Sequence, residues 1–240
     1  MNTPLTAELG HICNWIFDLD NTLYRADADF FAQIDRKMTD FISRYLALQP
    51  EKARALQKDY LVEYGTSLSG LMAVHGMDPA EFLDYVHDVD LSLLTPDPTL
   101  RDHISALPGR KFIFTNGSKG HAKNVASHLG IFDLFDGSFG IEDGDYVPKP
   151  KRSPYIKFCD VFDVDPKTAI FFEDGLRNLE VPKHMGMTTV LVTSTVDWSH
   201  EPADIRPAGH MTDAAFVDHI TNDLTGWLGQ ALERVDSKTT

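Results

Sequence analysis

Two aspartates, Asp18 and Asp20, follow a short run of large apolar residues and are separated by a single residue. The run Trp15-Ile16-Phe17 predicts a strand that is buried on both faces. In an open parallel sheet, ligands bind beyond the carboxyl ends of the strands, so carboxylates at this position face a crevice. Alternate side chains of an extended chain share a face, so the two carboxylates repel each other unless a cation lies between them. An ordinary acidic loop after a strand is the alternative interpretation.

Three further predicted strand ends carry polar groups. The segment Thr115-Asn116-Gly117-Ser118 follows one strand and precedes a helix, where a hydroxyl and backbone amides can bind phosphate oxygens. Lys149 lies between two prolines, and Glu173-Asp174-Gly175 follows another strand just before a helix. Taken singly, these segments also have ordinary explanations: a helix cap, a solvated lysine, and acidic residues favoured at a helix start.

The elements that must position these groups alternate between helix and strand after residue 99. Strands are predicted at residues 111–114, 139–141, 169–172 and 189–192, and helices at 100–107, 119–129, 153–162, 176–185 and 214–235. Such alternation indicates a parallel sheet with helices on both faces. The predicted fold is therefore α/β, a doubly wound and Rossmann-like parallel sheet, with a polar tail at residues 236–240.

Between residues 25 and 96 the apolar residues recur at three- and four-residue steps instead. This pattern predicts four helices, at about residues 28–46, 50–65, 68–76 and 78–89, with no strand between them. We interpret the segment as an inserted all-α helical cap. Residues 1–24 and 97–240 then form the α/β core, and residues 25–96 form the cap.

The overall charge excludes several classes of partner. The 240-residue chain has a formal net charge of −14, so neither a nucleic-acid polymer nor an anionic membrane is expected to bind it. Its 2 cysteines form neither a CxxC metal motif nor a disulfide framework, which suits a reducing compartment. Residues 1–11 lack the pattern of a secretory signal, and no apolar stretch has the length of a membrane span. We therefore expect a soluble, cytoplasmic protein, for which a small anionic substrate remains possible if a bound cation and a few local donors invert the charge at the site.

The order of the four polar segments, Asp-x-Asp-x-Thr, Thr-Asn-Gly, Lys-Pro and Glu-Asp, resembles the signature of the haloacid dehalogenase-like superfamily. The resemblance extends over about residues 14–192 and includes a helical cap inserted after the first segment. Within that superfamily, residues 64–68, 114–118 and 171–179 look like the pyrimidine 5′-nucleotidase group. Two residues depart from the pattern: Gly175 stands where serine is more usual, and Pro182 is expected to kink the helix that contains it.

The resemblance implies a Mg²⁺-dependent phosphomonoesterase that removes phosphate from pyrimidine 5′-nucleotides such as UMP and CMP. Asp18 would be the nucleophile that forms an aspartyl-phosphate, and Asp20 would act first as general acid and then as general base. Mg²⁺ would be held by the Asp18 carboxylate, the Asp20 backbone carbonyl and Asp174, with Glu173 assisting. The other phosphate oxygens would be bound by Thr115, the Asn116 amide and Lys149.

The helical cap is expected to act as a lid that excludes water and contacts the substrate beyond its phosphate. His121 is expected near the entrance to the site. The other residues expected to contact the substrate or to lie at the hinge are Tyr24, Tyr64, Thr66, Ser67 and Ser118.

Three alternatives remain open at this stage. A haloacid dehalogenase would use an Asp18-type nucleophile, but a halide leaves without a proton donor or a metal, so Asp20 and Asp174 would be superfluous. A catalytically silent binding module should have lost at least one essential group, and every one is present. The third alternative keeps the reaction and changes the substrate to a sugar phosphate, phosphoglycolate or a lysophospholipid, because fold analogy is a weak guide to substrate.

Overall fold

A computed structural model describes residues 9–199 and 214–236 of the chain. Two predictions concern residues that lie almost entirely outside the described ones: the polar tail at residues 236–240 and the lack of a secretory signal at residues 1–11. A six-stranded sheet forms the centre of the described part, all its strand pairs are parallel, and the strand order is β3-β2-β1-β4-β5-β6. The strands are β1 (Asn14–Phe17), β2 (Arg110–Phe114), β3 (Gly137–Phe139), β4 (Ala169–Glu173), β5 (Thr188–Val192) and β6 (His219–Thr221). The doubly wound α/β prediction is confirmed.

Helices cover both faces of the sheet. The core helices are α5 (Pro98–Ala106), α6 (Lys119–His128), α7 (Arg152–Phe162), α8 (Glu180–Met185) and α9 (Leu224–Asp236). On one face Trp15 and Phe17 pack with residues of α5, α6 and α9, whereas Ile16 packs on the other face with residues of α7. This alternation explains why β1 carries three large apolar residues in succession after the buried Asn14, since both faces of the strand are buried.

Four helices lie between β1 and α5: α1 (Phe31–Tyr45), α2 (Pro50–Tyr64), α3 (Ser67–His75) and α4 (Pro79–Val86). We call residues 31–86 the helical insert. Its helix ends follow local chemistry, since Asp78 caps α4 ahead of Pro79 and Gly65 ends α2 at a φ of 92°. The helices pack on one another, α1 against α2 and α4, and α2 against α3. Among the described residues, no helix has the length and apolar character that crossing a membrane requires.

The C-terminal prediction was wrong. Instead of one helix over residues 214–235, the chain forms turns, then β6, and only then α9. β6 is three residues long and contains a single large apolar residue, Ile220, so its local pattern does not distinguish it from the start of a helix. Its strand conformation comes from parallel pairing with β5. The third predicted strand, at residues 139–141, also lies earlier, at β3.

The helix predicted over residues 176–185, in which Pro182 was expected to cause a kink, is divided in the structure. Residues Leu176–Leu179 form a short 3₁₀ turn, and Pro182 then lies in the first turn of α8, where a missing N–H is tolerated. The carbonyl of Asn178, which an N–H at position 182 would reach in a regular helix, accepts a hydrogen bond from the Tyr155 hydroxyl at 2.7 Å. The proline therefore leaves no carbonyl unsatisfied at this point.

Candidate active site

The four polar segments meet at the carboxyl-terminal edge of the sheet. β1 lies between β2 and β4, so the residues that follow these three strands are neighbours in space. Asp18 follows β1, Thr115 follows β2, and Asp174 follows β4. Lys149, from the long connection between β3 and α7, reaches the same point. The structure thus brings together residues that are up to 156 positions apart in the sequence, from Asp18 to Asp174.

Lys149 is the buried cation of this site. Its side chain is 1% exposed, and its Nζ donates to Asp18 Oδ1 at 2.7 Å, Glu173 Oε2 at 2.7 Å and the Phe114 carbonyl at 2.9 Å. Burial alone would lower the pKa of Lys149, but the two carboxylates raise it above its usual value, so the ammonium stays charged. The Asn116 side chain holds the lysine backbone, accepting from Lys149 N at 2.8 Å and donating to Lys149 O at 3.2 Å.

Asp18, Glu173 and the half-buried Asp174 form an acidic cluster in which one carboxylate oxygen from each residue lies within 4.8 Å of the others. Burial, followed by the charge of Glu173, raises the pKa of Asp18 to about 8. The same two causes, with the charge of Asp18, raise the pKa of Asp174 well above its usual value. Three carboxylates around one ammonium carry more negative charge than it can balance, so the donor set fits a divalent cation that prefers oxygen ligands.

Within this cluster, Glu173 differs from the two aspartates. Its Oε2 accepts from Lys149 and its Oε1 accepts from the backbone N–H of Gly175 at 3.0 Å. Both oxygens are already bonded, which suits the supporting role given to Glu173 better than direct ligation. Asp18 and Asp174 would hold Mg²⁺ directly, and the ion would there neutralise charge on a bound phosphate.

Asp20 has a different environment from Asp18. Its Oδ1 accepts hydrogen bonds from the Tyr24 hydroxyl at 2.8 Å and from His121 Nε2 at 2.9 Å. Burial would raise the pKa of Asp20, but the charge and hydrogen bond of His121, together with the Tyr24 hydrogen bond, lower it on balance. The pKa values of two carboxylates two positions apart are thus shifted in opposite directions, which is typical of a pair with separate chemical roles.

The Thr115 hydroxyl is buried and oriented. Its Oγ1 accepts from the backbone N–H of Gly117 at 2.9 Å, and the side chain lines the same cavity as Asp18. A hydroxyl that accepts through oxygen still has its own proton to donate, so Thr115 can donate to an anion in the cavity.

A cavity of about 370 Å³ lies between these residues and the helical insert. Asp18, Asp20, Thr115, Lys149 and Asp174 line one side of it. The other side is mainly apolar and is lined by Phe31, Ile34, Met38, Leu61, Leu68, Phe82 and Val86. A larger cavity of about 670 Å³ lies beside residues 21–27 and is lined by none of the acidic cluster or Lys149, so we assign the chemistry to the smaller one.

The residues predicted to contact substrate fall into two groups. Asn116, Thr66 and Ser67 line the smaller cavity, although Ser67 is buried and donates its hydroxyl to the Gln57 carbonyl at 3.1 Å. Tyr24, Tyr64 and Ser118 are absent from the described lining of that cavity. Tyr24 instead donates to the Asp20 carboxylate, Tyr64 packs edge-on against Tyr60, and Ser118 contacts the first turn of α6.

Sequence reasoning missed or misplaced several residues of the site. Asn21 adopts a left-handed conformation, with φ of 60°, and its Nδ2 donates to Asp174 Oδ2 at 3.4 Å. Asparagine is one of the residues that tolerates this conformation, which is the one local signal for it. Arg177 lines the cavity and donates to the Gly65 carbonyl of the helical insert at 3.0 Å. His121, predicted at the entrance, is instead buried against Asp20.

The glycine at position 175 has a steric explanation. A Cβ added to Gly175 would lie 2.9 Å from Asn178 Nδ2 and 3.1 Å from Glu173 Oε1. A serine would therefore displace the Asn178 side chain or the Glu173 carboxylate that Lys149 contacts. In this chain, the space that serine would occupy is used by Asn178.

Comparisons with known proteins agree with this arrangement. Among curated proteins, the chain is similar to phosphate metabolism protein 8 of Saccharomyces cerevisiae, 29% identical over 84% of this chain and 68% of that protein. It is also similar to a phosphoglycolate phosphatase of Psychrobacter arcticus, 22% identical over 85% of this chain and 94% of that protein.

Among solved structures, a HAD phosphatase from Thermococcus onnurineus shares the fold with a TM-score of 0.59 and 18% identity, over 91% of this chain and 99% of that chain. The L-2-haloacid dehalogenase of Xanthobacter autotrophicus gives a TM-score of 0.54 and 18% identity, over 91% of this chain and 98% of that chain. The family model for haloacid dehalogenase-like hydrolases matches residues 15–186. The chain therefore belongs to the haloacid dehalogenase-like hydrolase family.

Proposed function

We propose that the protein is a Mg²⁺-dependent phosphomonoesterase that forms an aspartyl-phosphate on Asp18, with pyrimidine 5′-nucleotides as substrates. The observation that carries the proposal is the contrast between the two aspartates. Asp18 lies in an acidic cluster that fits a cation, and Asp20 is held beside it by Tyr24 and His121. A nucleophile and a separate acid/base are the two roles that hydrolysis through a covalent intermediate needs.

In the first step Asp18 reacts as a carboxylate, since a cation bound beside it would lower the raised pKa of its carboxyl group. One of its oxygens attacks phosphorus, and the bond from phosphorus to the ester oxygen breaks. The electron pair of that bond goes to the leaving oxygen, which takes a proton from Asp20. Asp20 is ionised in the free site, and the negative charge of an arriving phosphate raises the pKa of a nearby carboxyl, so it takes up that proton with the substrate. Lys149 and the Thr115 hydroxyl stabilise the charge on the phosphate oxygens.

In the second step, water attacks the phosphorus of the aspartyl-phosphate. Asp20, now ionised, takes the proton of this water, and the bond between phosphorus and the Asp18 oxygen breaks. Inorganic phosphate leaves, and Asp18 is regenerated as a carboxylate. Asp20 then releases this proton to the solvent and returns to the ionised state of the free site. Mg²⁺ bound by Asp18 and Asp174 would supply charge neutralisation in both steps.

The same fold also carries dehalogenases, and two residues argue against that chemistry here. A halide needs no proton when it leaves, yet Asp20 is held by two buried donors. A dehalogenase needs no metal, yet Asp174 adds a second aspartate to the carboxylate cluster around Asp18. A phosphate ester and a cation in the site account for both residues.

The pyrimidine preference is supported by the resemblance at residues 64–68 and by the cavity. A cavity of about 370 Å³ is near the small end of the range for small-molecule sites, about 300–1,000 Å³. Its insert side offers Phe31 and Phe82 and other apolar residues, against which a single flat ring can pack. The helical insert then acts as the lid over the acidic cluster and Lys149, closing fully over a pyrimidine and less well over a purine.

A phosphate ester that carries a carboxylate, such as phosphoglycolate, is the second candidate. The specific observation in its favour is that Arg177 lines the cavity, where its guanidinium interacts electrostatically with Glu173. Arginine binds carboxylates with two parallel hydrogen bonds. The phosphoglycolate phosphatase of Psychrobacter arcticus, to which the chain is similar, agrees with this candidate.

Substrate profiling tests the proposal. Phosphate release would be measured on UMP, CMP, AMP, 3′-UMP and phosphoglycolate, and chloride release on 2-chloropropionate, with Mg²⁺ and with excess EDTA. We expect the highest kcat/KM on UMP and CMP, a roughly 10–200-fold lower value on AMP, and no activity in EDTA. A preference for phosphoglycolate would replace the nucleotide substrate and keep the mechanism. Chloride release that persists in EDTA would overturn the mechanism.

A further inference from the structure

The Asp20 carboxylate is held by two buried donors from distant parts of the chain. The Tyr24 hydroxyl lies four residues further along the chain, whereas His121 belongs to α6. Both donors bond the same oxygen, Oδ1, so these two bonds leave the other oxygen, Oδ2, for proton transfer. Two fixed bonds to one oxygen define the plane and direction of a carboxylate more tightly than one bond does.

His121 is itself fixed from several sides. Its side chain is 1% exposed, and its backbone N–H donates to Ser118 Oγ at 3.1 Å. Its ring stacks on the Phe30 ring, with centroids 6.2 Å apart and planes 6° apart. It also stacks on the His87 ring, with centroids 4.3 Å apart and planes 16° apart.

The two stacking partners come from the two ends of the helical insert. Phe30 directly precedes α1 and His87 directly follows α4. His87 Nδ1 also forms a hydrogen bond with Ser118 Oγ at 3.0 Å. His87 therefore contacts both Ser118, at the start of α6, and the His121 ring that bonds Asp20. The position of His121 therefore depends on where both ends of the helical insert lie.

We propose that His121 and Tyr24 are positioning residues for Asp20, and that Phe30 and His87 connect the placement of the helical insert to the direction of the Asp20 carboxylate. The proposal rests on the acid/base role that the proposed function gives to Asp20. When the insert sits as it does here, His121 is held against Asp20 and Oδ2 is directed for proton transfer. If the insert moves away, the stacking is lost and the acid/base is no longer oriented.

The test compares two leaving groups. A nucleotide releases a ribose alkoxide, which must be protonated, whereas p-nitrophenyl phosphate releases a stable phenolate that needs little help from an acid. The value of kcat/KM reports the steps up to the departure of the leaving group, so a misdirected acid lowers it for the nucleotide more than for p-nitrophenyl phosphate. A merely structural defect lowers both values by the same factor.

The variants follow from the contacts. His121→Phe keeps a stacking ring and removes the donor, and Tyr24→Phe keeps the edge-on packing on Phe30 and removes the hydroxyl. We expect both to lower kcat/KM on UMP about 10–100-fold more than on p-nitrophenyl phosphate, as part of the contribution that general acids make. His121→Gln, which restores an N–H donor, should recover part of this difference. His87→Ala should produce the same selective loss, since it removes one side of the stack.

Tyr155→Phe is the matched control, because it removes a buried hydroxyl that bonds the Asn178 carbonyl and has no contact with Asp20. It should change both substrates by one common factor. Equal losses on the two substrates in His121→Phe and Tyr24→Phe would overturn the proposal. If His121→Phe fails to fold, Tyr24→Phe and His121→Gln decide by the same ratio. Failure of the proposed function looks different: the wild-type protein would release no phosphate, or Asp18→Asn would keep full activity.

Discussion

At the scale of single residues, the environment of each carboxylate decides its chemistry. Asp18 and Asp20 are the same residue type two positions apart, yet burial beside Glu173 raises the pKa of Asp18 to about 8, while His121 and Tyr24 lower that of Asp20. The sequence spacing alone predicts a pair of carboxylates but not this division. Apart from Tyr24, the division comes from Glu173 and His121, which are more than 100 positions from the aspartates they act on and which only the fold brings close.

Substitution of each aspartate gives the first prediction. Asp18→Asn should abolish turnover, because an amide cannot form the acyl-phosphate. Asp20→Asn should lower kcat on nucleotides by about 10²–10⁴-fold. Phosphate release is the measurement. Asp145→Asn is the control, since Asp145 is exposed and pairs with Lys157, and its activity should match the wild type. Wild-type rates in the Asp18 variant would show that the nucleophile is elsewhere.

The raised pKa of Asp18 predicts a pH dependence of stability. An acid whose pKa is raised in the folded protein stays protonated there while the unfolded chain ionises, so stability is lost as pH rises through the folded pKa. Between pH 7 and 8 the metal-free protein should lose about 1 kcal/mol of unfolding free energy, given a folded pKa of about 8. Burial is the main cause that lowers the pKa of His87 to about 3. Below pH 6.5 the unfolded chain binds a proton at His87 that the folded protein does not, so there the stability increases with pH.

Urea unfolding in EDTA at pH 7 and 8 measures this effect. Asp18→Asn should remove the part of the decrease that belongs to Asp18, because an amide does not titrate, while Asp174, whose pKa is also raised, keeps its own part. Saturating Mg²⁺ should reduce the decrease in the wild type. A wild-type decrease that persists unchanged in Asp18→Asn would assign the pH dependence to another group.

At the scale of elements, the strand ends carried most of the predictive information. Large apolar runs followed by polar residues are local signals, so β1, β2, β4 and β5 were predicted close to their observed bounds. β6 was missed because its strand conformation depends on pairing with β5 rather than on its own three residues. The role of His121 was misplaced for a similar reason, since nothing near it in the sequence indicates Asp20.

The packing of α2 on α3 allows a test of the helical insert. Gly70 of α3 faces Tyr60 of α2 so closely that an added Cβ would lie 2.3 Å from the tyrosine Cγ. Gly70→Ala should therefore separate the two helices and cost about 1–3 kcal/mol of unfolding free energy. The matched control is Gly120→Ala in α6, where the nearest atom would be 3.8 Å away and the change should be neutral or stabilising. Equal stabilities of the two variants would contradict the close packing.

At the scale of the whole molecule, the proposed function requires a protein with a net charge of −14 to bind an anionic substrate, and a bound cation would offset the repulsion. Mg²⁺ should therefore stabilise the folded chain, by about 2.7 kcal/mol when its concentration is 100 times the dissociation constant. Thermal unfolding with and without Mg²⁺ measures this, with no need for a substrate. Asp174→Asn should lose most of the increase in Tm, whereas Asp145→Asn should keep it. An equal increase in both variants would place the ion outside the acidic cluster.

The most direct measurement for the central claim is the identity of the phosphorylated residue. The Asp20→Asn variant would be mixed with p-nitrophenyl phosphate and Mg²⁺, quenched in acid, and treated with borohydride, which reduces an aspartyl-phosphate to homoserine. We predict that peptide mass spectrometry finds homoserine at position 18, and that it is absent when Asp18→Asn is combined with the same variant. Phosphate release without any modification at position 18, or modification of a different residue, would contradict the account.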